Sequence, residues 1–356
     1  MSFTTFGLVC GHHHLYSSLA RGMPAPPVTP TSFMSVLENV WWRLDAALDE
    51  ETLYWSAALG AAEALLNGTT AIIDHHESPH CIDGSLDIIK AACDYVGVRS
   101  NLSYGVTDRW SSEKMLSTVD PQASMTKEAE RGLRENDRFL SAGGRGMVGV
   151  HASFTCSGET LLAAADLAKK HNTGVHIHVA ESTDDAQAGV RLQELATDKW
   201  LLVHAVHLQQ QLPGTIAHNP RSNMNNAVGY ARPTRWKNKV ILGTDGIGAD
   251  MLEEARLAYV ALRNDDIQQT PETVWSWLNN GEAFFPEVRT DNVTWSYDHV
   301  DSPWHVAFTP GIRCTDVSLN GTKVVKNGIP TQFDMAEIRT KAAESARTLH
   351  KKLSTQ

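Results

Sequence analysis

Histidine is the residue type through which this sequence is best equipped to do chemistry. Sixteen histidines occur in 356 residues, several of them adjacent or one residue apart. The first group, Gly11-His12-His13-His14, follows the apolar run Thr5–Cys10. Alternate residues of an extended chain share a face, so His12 and His14 should project together. A second run, Val175-His176-Ile177-His178-Val179-Ala180-Glu181, repeats the alternation and adds a carboxylate. His204, His218 and the triplet Thr244-Asp245-Gly246 each end a further apolar run. Taken singly these have ordinary explanations, because a lone strand-end histidine is commonly a hydrogen-bonded structural residue and Asp-Gly is a common turn. Together, a His-x-His, a His-x-x-Glu, another histidine and a terminal aspartate make a metal-ligand inventory. Imidazole and carboxylate suit zinc or another borderline ion, and three or four protein ligands with a water position left open define a catalytic site. Such an ion makes hydroxide available near neutral pH. Glu181, not required as a ligand, would be free to carry protons. The expected chemistry is hydrolysis.

These residues need a scaffold that gathers strand ends from distant parts of the chain. Eight short β-rich runs recur with helical stretches between them: Thr5–Cys10, Thr69–Asp74, Arg99–Tyr104, Met147–His151, Gly174–Val179, Trp200–His204, Thr215–His218 and Lys239–Thr244. That alternation predicts an α/β fold, a (β/α)8 TIM barrel whose working residues stand at the C-terminal strand ends. Helices are expected over Glu50–Leu66, with a Leu53, Ala57, Ala61, Ala64 stripe, and over Ser85–Val96 and Glu159–His171. Only ten residues separate His204 from Thr215, whereas a parallel crossover takes about a dozen or more. The barrel is therefore expected to be distorted or incomplete around its fifth to seventh strands. After about residue 280 the pattern changes to Trp-, Asp- and Pro-rich sequence. Thr315–Leu319 and Thr322–Lys326 flank the turn Asn320–Gly321 as a hairpin, and a helix from Met335 to about Leu353 follows. The division expected is a barrel over 1–300, then over 301–356 a hairpin remnant of a small β domain plus a C-terminal helix.

Composition narrows the functional classes. A net charge of -10 without a basic patch argues against a nucleic-acid partner. No apolar run approaches the roughly 20 residues of a membrane span, and MSFTTFGLVC lacks the features of a signal peptide. With nothing to direct export, the cytoplasm is the expected location; five scattered cysteines form no C-x-x-C pair and read as ordinary reduced thiols.

At these residues the sequence resembles the amidohydrolase superfamily, in its cytosine/guanine/triazine deaminase branch. The segments GHHHLYSSLARGMP, WWRLDAALDEE, IIDHHESP, HIHVAES, AHNPRSNMNNAVGY and LGTDGIGADM are most similar to SsnA-type aminohydrolases. The likeness runs from about residue 6 to 260 and resumes near 305–330. It implies that His12, His14, His178 and Asp245 hold one divalent ion, zinc, with iron(II) as the alternative. It also implies that Glu181 shuttles protons, that His204 contacts the activated water, and that Asp245 takes part in catalysis. His151 stands where binuclear relatives carry a bridging group, which implies a single ion. His151 and His218 fall at substrate-side or supporting positions. Trp41, Trp42, Arg43, Phe154 and Arg109, near the barrel-mouth loops, could meet a flat ring, although the tryptophans could equally be packing residues. Arg221, Ser222 and Asn223 follow the seventh strand beside the expected pocket, and Asn223 could equally be a cap.

The implied reaction is hydrolytic removal of an exocyclic amino group from a purine, pyrimidine or triazine type of heterocycle. Triazine dechlorination or dealkylation, and a truncated member without catalysis, are the alternatives. Against the family pattern, the half-sandwich before the first strand is missing, and the segments after Glu181 and around Gln209–Pro213 are short. Apolar surface left where the sandwich should be would suit a homodimer.

Overall fold

The computed structural model describes residues 3–110, 115–298 and 302–355. The chain opens with β1, Phe3–Thr5, and enters the barrel with β2, Leu8–His14. The next barrel strands are β3 (Thr69–His76), β4 (Arg99–Tyr104), β5 (Val148–Ala152), β6 (Val175–Val179), β7 (Leu201–His204), β8 (Thr215–His218) and β9 (Val240–Leu242). The two-residue β10, Asp245–Gly246, pairs with β2 opposite His13 and His14. Neighbouring strands run parallel from β2 to β4 and from β5 to β9. Single bridges, Leu102 to Gly146 and Val106 to Val150, join β4 to β5. The seam between β9 and β2 depends on glycine. A Cβ at Gly11 would stand 2.5 Å from Ile241 Cδ1, and one at Gly243 would stand 2.8 Å from the backbone of His12.

All eight expected strand positions are occupied, with two informative shifts. The first begins at Leu8 because Phe3–Thr5 leaves the barrel for another sheet. The last breaks after Leu242, and Asp245 adopts φ +55°. The shortening expected around the fifth to seventh strands falls on the connections, while β6, β7 and β8 pair in unbroken parallel register. The β6–β7 link keeps a 3-10 turn, Thr183–Asp185, and the short α-helix Ala188–Leu192, and no helix joins β7 to β8. There the Arg235 guanidinium replaces it, donating to the carbonyls of Ala205, Val206 and Leu208 at 3.0, 2.9 and 3.1 Å while Leu208 and Leu212 are buried beneath.

The small β domain is larger than a hairpin remnant. β1 pairs with β11, Asn292–Trp295, followed by β12 (Cys314–Leu319), β13 (Thr322–Lys326) and β14 (Ile329–Pro330) in one antiparallel five-stranded sheet. Strands from both ends of the chain thus contribute to it, so it is not confined to the region after 300; the junction expected at 300/301 itself lies outside the described residues. Asn320 and Gly321 take φ +49° and +84° at the β12–β13 turn, the conformations a tight hairpin needs. A bidentate pair from Arg99 on β4 to buried Asp291, at 2.7 and 3.0 Å, ties this sheet to the barrel. The helix Glu50–Leu66 starts with a reciprocal cap between Asp49 and Thr52 and buries Leu53, Ala57, Ala61 and Ala64. The final helix, Met335–Thr355, packs against it.

Side-chain alternation divides the barrel strands between interior and exterior. Val9, Ala71, Ile73, Leu201, Val203, Ala217 and Ile241 form one inner cluster, closed by Phe285 and Val288. The alternate residues, including Val175, Ile177, Leu202, Ile216 and Leu242, pack outward in the main core.

Candidate metal centre and active site

Strict alternation from inward-facing Val9 would turn His12 and His14 outward. A register shift between Cys10 and His13 in the β2–β3 pairing reverses the phase, and both rings enter the barrel. β6 needs no such device: His176 and His178 fall naturally on the inner face between outward Val175, Ile177 and Val179. β7 carries Leu201 and Val203 inward, and His204 joins them only because its own backbone takes φ +70°. Ala180, Ala205, Asp245 and Ile247 also have φ between +46° and +57°. Left-handed backbone at non-glycine residues costs about 1–3 kcal/mol each and persists where the surroundings dictate it. Here it gathers where the strand ends meet.

Each of the four central imidazoles is held through Nδ1 and turns Nε2 inward. His14 Nδ1–H donates to the His75 carbonyl at 2.6 Å, and His178 Nδ1–H to the His151 carbonyl at 2.7 Å. His204 Nδ1–H donates to Asn223 Oδ1 at 2.8 Å. For His12 the tautomer follows from a chain of bonds. Ser103 Oγ–H donates to the Asp74 carbonyl at 2.9 Å and therefore accepts from His176 Nδ1–H at 3.1 Å. His176 Nε2 is then bare and accepts His12 Nδ1–H at 2.8 Å. The four Nε2 atoms consequently converge.

Asp245 completes the group. Its Oδ1 lies 3.4 Å from His12 Nε2 and 3.0 Å from His14 Nε2, and its Oδ2 lies 3.7 Å from His204 Nε2. His178 Nε2 is 3.3 Å from His14 Nε2. One ligand atom from each of His12, His178, His204 and Asp245 falls within 4.8 Å of the others. The Nε2 atoms of His12 and His204 are buried without a hydrogen-bond partner, a costly arrangement unless a Lewis acid occupies the space. Burial works against a charge on His14, yet the hydrogen bond and charge of Asp245 outweigh it and lift that imidazole to about 9. The site thus calls for positive charge where a divalent ion would supply it, and the donor set fits one.

Glu181 stands beside this centre, its Oε2 3.4 Å from His204 Nε2 and its Oε1 accepting from Asn226 Nδ2 at 3.3 Å. Burial raises its carboxyl above the usual range, partly opposed by His204. Both residues open on a cavity of about 250 Å³ that also exposes His14, His178 and Asp245. A helical segment forms one wall. The π turn Leu37–Trp41 sets Trp41 and Trp42 on the wall begun by Phe33 and Leu37. His151 also lines the cavity. Its Nδ1–H donates at 2.8 Å to Thr155 Oγ1, whose own proton goes to the Ala152 carbonyl, leaving Nε2 as an acceptor.

Three expected substrate contacts lie elsewhere. His218 faces outward because Ala217 takes the inner position on β8, and it packs on Tyr230 and Trp277 with ring centroids 5.9 Å away in each case. Arg109 is fully buried behind Trp42, its guanidinium carbon 4.3 Å from that ring's centroid. Asn223 is buried and orients His204. Arg221 and Ser222 do line the cavity, and Ser222 Oγ–H donates to Asp245 Oδ2. Conversely, His75 reaches the cavity, and His13, His176 and Asn226 support the centre, although the sequence reading gave them no role. The signal for His75 was present in IIDHHESP, whose alternation continues that of inward Ala71 and Ile73.

A closed parallel barrel with convergent Nε2 atoms, a carboxylate among them and a second buried carboxyl alongside is the site of a metal-dependent hydrolase. The model of the amidohydrolase family matches residues 3–277, and the chain belongs to that family. The 5'-deoxyadenosine deaminase of Methanocaldococcus jannaschii is 25% identical, over 95% of this chain and 87% of that protein. Its counterpart from Methanococcus maripaludis is 30% identical over 75% of this chain, which spans 65% of that relative's length. Among solved structures, a zinc-bound adenosine deaminase from Xanthomonas campestris superposes with a TM-score of 0.78 at 18% identity, covering 98% of this chain and 86% of its own. A zinc complex of an atrazine chlorohydrolase from Arthrobacter aurescens gives 0.79 at 18% identity, with coverages of 97% and 88%. At such identities the likeness is one of fold.

Proposed function

We propose that this protein deaminates a small amino-substituted nitrogen heterocycle of the purine, pyrimidine or triazine type by metal-assisted hydrolysis. The observation that carries the reading is that ligand atoms of His12, His178, His204 and Asp245 lie within 4.8 Å of one another, with His14 Nε2 3.0 Å from Asp245 Oδ1 and Glu181 beside them on the same cavity. His12, His14, His178 and Asp245 would hold one ion, and zinc, present in the solved relatives' complexes, is the ion we assign, with iron(II) the alternative. When bound, the ion supplies Lewis acidity that makes water a nucleophile near neutral pH.

The chain's own residues do the rest. Glu181, raised by burial, holds a proton between the water position and a ring nitrogen. His204, aimed by Asn223, fixes the water's orientation from Nε2. Asp245 carries a proton toward the departing amine. His151 Nε2 offers an acceptor to the ring, and the faces of Trp41 and Trp42 wall the cavity. Free, unpaired cysteines suit the cytoplasm, and exposed Trp304 and Phe308 suit a homodimer contact.

The test is metal content followed by an ammonia-release screen over amino-purines, amino-pyrimidines and amino-triazines. We expect near one ion per chain and ammonia from at least one ring class. Chloride or alkylamine release from substituted triazines without ammonia would favour the dechlorinating or dealkylating alternative. Metal binding without turnover of any ring would favour a member without catalysis.

A further inference from the structure

The last barrel strand ends early, at Leu242, and beyond it Asp245 and Ile247 both take left-handed backbone, at φ +55° and +57°. A carboxylate carried on such a stretch is aimed only if the backbone on either side of it is fixed from outside. The chain after β8 supplies that. Arg221 lines the same cavity as Asp245 and donates from Nη2 to two carbonyls, those of Thr244 and Gly246, the latter at 2.9 Å. These are the residues immediately before and after Asp245. Arg221 Nε–H goes to Glu254 Oε1 at 2.9 Å, and the backbone N–H of Arg221 goes to Glu254 Oε2 at 3.3 Å. Glu254 is 2% exposed and stands on the helix Met251–Asp265, so a buried carboxylate grips the guanidinium. Gly248 leaves room for the contact, since a Cβ there would stand 2.6 Å from Arg221 Nη2.

Glu254 thereby also anchors the start of the short helix Pro220–Asn225. That helix carries Ser222, which donates to Asp245 Oδ2, and Asn223, which accepts the His204 Nδ1–H. Three consecutive residues thus act on the centre, and the first of them acts on backbone. A guanidinium suits this task because its rigid planar fork donates in several fixed directions at once, whereas an ammonium is a point charge on a flexible stem. Resting on the reading of Asp245 as a metal ligand, we propose that Arg221 and Glu254 are positioning residues: they set the backbone around Asp245, and with it the aim of its carboxylate, so that the ion's affinity and coordination geometry depend on a cation and a carboxylate that are not themselves ligands.

The experiment measures zinc affinity by competition with a chromophoric chelator, and the visible absorption of the cobalt(II)-loaded protein, in the parent, Arg221→Ala and Arg221→Lys. We expect Arg221→Ala to bind zinc about 10- to 100-fold more weakly, the usual cost of losing a group that orients a ligand, and its cobalt bands to shift because they report coordination geometry. Added methylguanidinium should restore both, and methylammonium, which brings the charge without the fork, should not. Should Arg221→Ala fail to fold by circular dichroism, Arg221→Lys, which keeps a cation beside Glu254, carries the same expected loss. A folded Arg221→Ala or Arg221→Lys with the parent's zinc affinity and cobalt spectrum would overturn the inference and leave the metal-site reading standing, as would equal rescue by the two additives. A parent that binds neither ion would overturn the inference together with the reading of Asp245 as a ligand.

Discussion

His13 Nδ1 lies 2.7 Å from the carbonyl oxygen of Asp245, a residue 232 positions later in the chain. The middle histidine of the triple therefore points away from its neighbours and fastens the backbone of the aspartate they converge on. A second contact, 2.8 Å to Thr244 Oγ1, holds the preceding residue. Replacing His13 with alanine should leave the barrel folded but loosen Asp245, lowering metal affinity about 10- to 100-fold, the usual cost of losing a partner that orients a ligand. Competition with a chromophoric chelator measures it, and an unchanged affinity would deny His13 this task.

His178→Ala removes one Nε2 outright. Elemental analysis of protein purified without chelator should show near one ion per chain in the parent and a large loss in the variant. Because the ion binds only the folded state, excess chelator should also lower the parent's thermal midpoint, by the equivalent of about 3 kcal/mol if free metal had stood at 100-fold over Kd.

Glu181→Gln keeps the size of the side chain and its contact with Asn226 while abolishing proton transfer. Metal content should be unchanged and turnover should fall by about 10²–10⁴-fold. A variant as active as the parent would remove Glu181 from the proton path.

Acid should destabilise the fold well before its carboxylates titrate. Burial drives His76 and His218 down to about 3 from an ordinary value of 6.5. Both stay neutral in the folded state while the unfolded chain takes up their protons. Their contribution is complete above about pH 6.5 and is lost progressively as pH falls toward 3, at roughly 1 kcal/mol per pH unit for each. Urea midpoints at pH 7.5, 6 and 5 should fall in that order, and His218→Phe should fall less steeply than the parent.

The seam glycine offers a stability test. Gly11→Ala puts a methyl group 2.5 Å from Ile241 Cδ1 and 2.7 Å from the Leu242 carbonyl, so the strands must part. A loss of about 1–3 kcal/mol is expected, together with weaker metal binding, since His12 is the next residue.

Much of this was legible in the sequence because strand ends announce themselves. A β-rich run closed by a polar residue fixes where the chain turns, and the order of such runs fixes the barrel. What pattern alone could not give was phase. The bulge that turns His12 and His14 inward, and the left-handed backbone that turns His204 inward, depend on the pairing of strands distant in sequence. The same blindness assigned His218 to the substrate, when the inner position on β8 belongs to Ala217. Arg109 was misplaced for another reason: its carboxylate partners, 32 and 64 residues earlier, are local to nothing but the folded state. The five-stranded sheet escaped notice because β1 is three residues long and finds its partner only near position 293.

The pairing of β2 with β10 also sets a timetable. On the ribosome His12 and His14 emerge early, yet the carboxylate that joins them is translated more than two hundred residues later, and β2 keeps one edge unpaired until then. Such an edge is open to wrong partners, and two histidines alone make a weak and unselective trap for whichever ion is abundant. On the proposed ligand set, the choice of metal therefore waits until Asp245 has been made and the barrel can close.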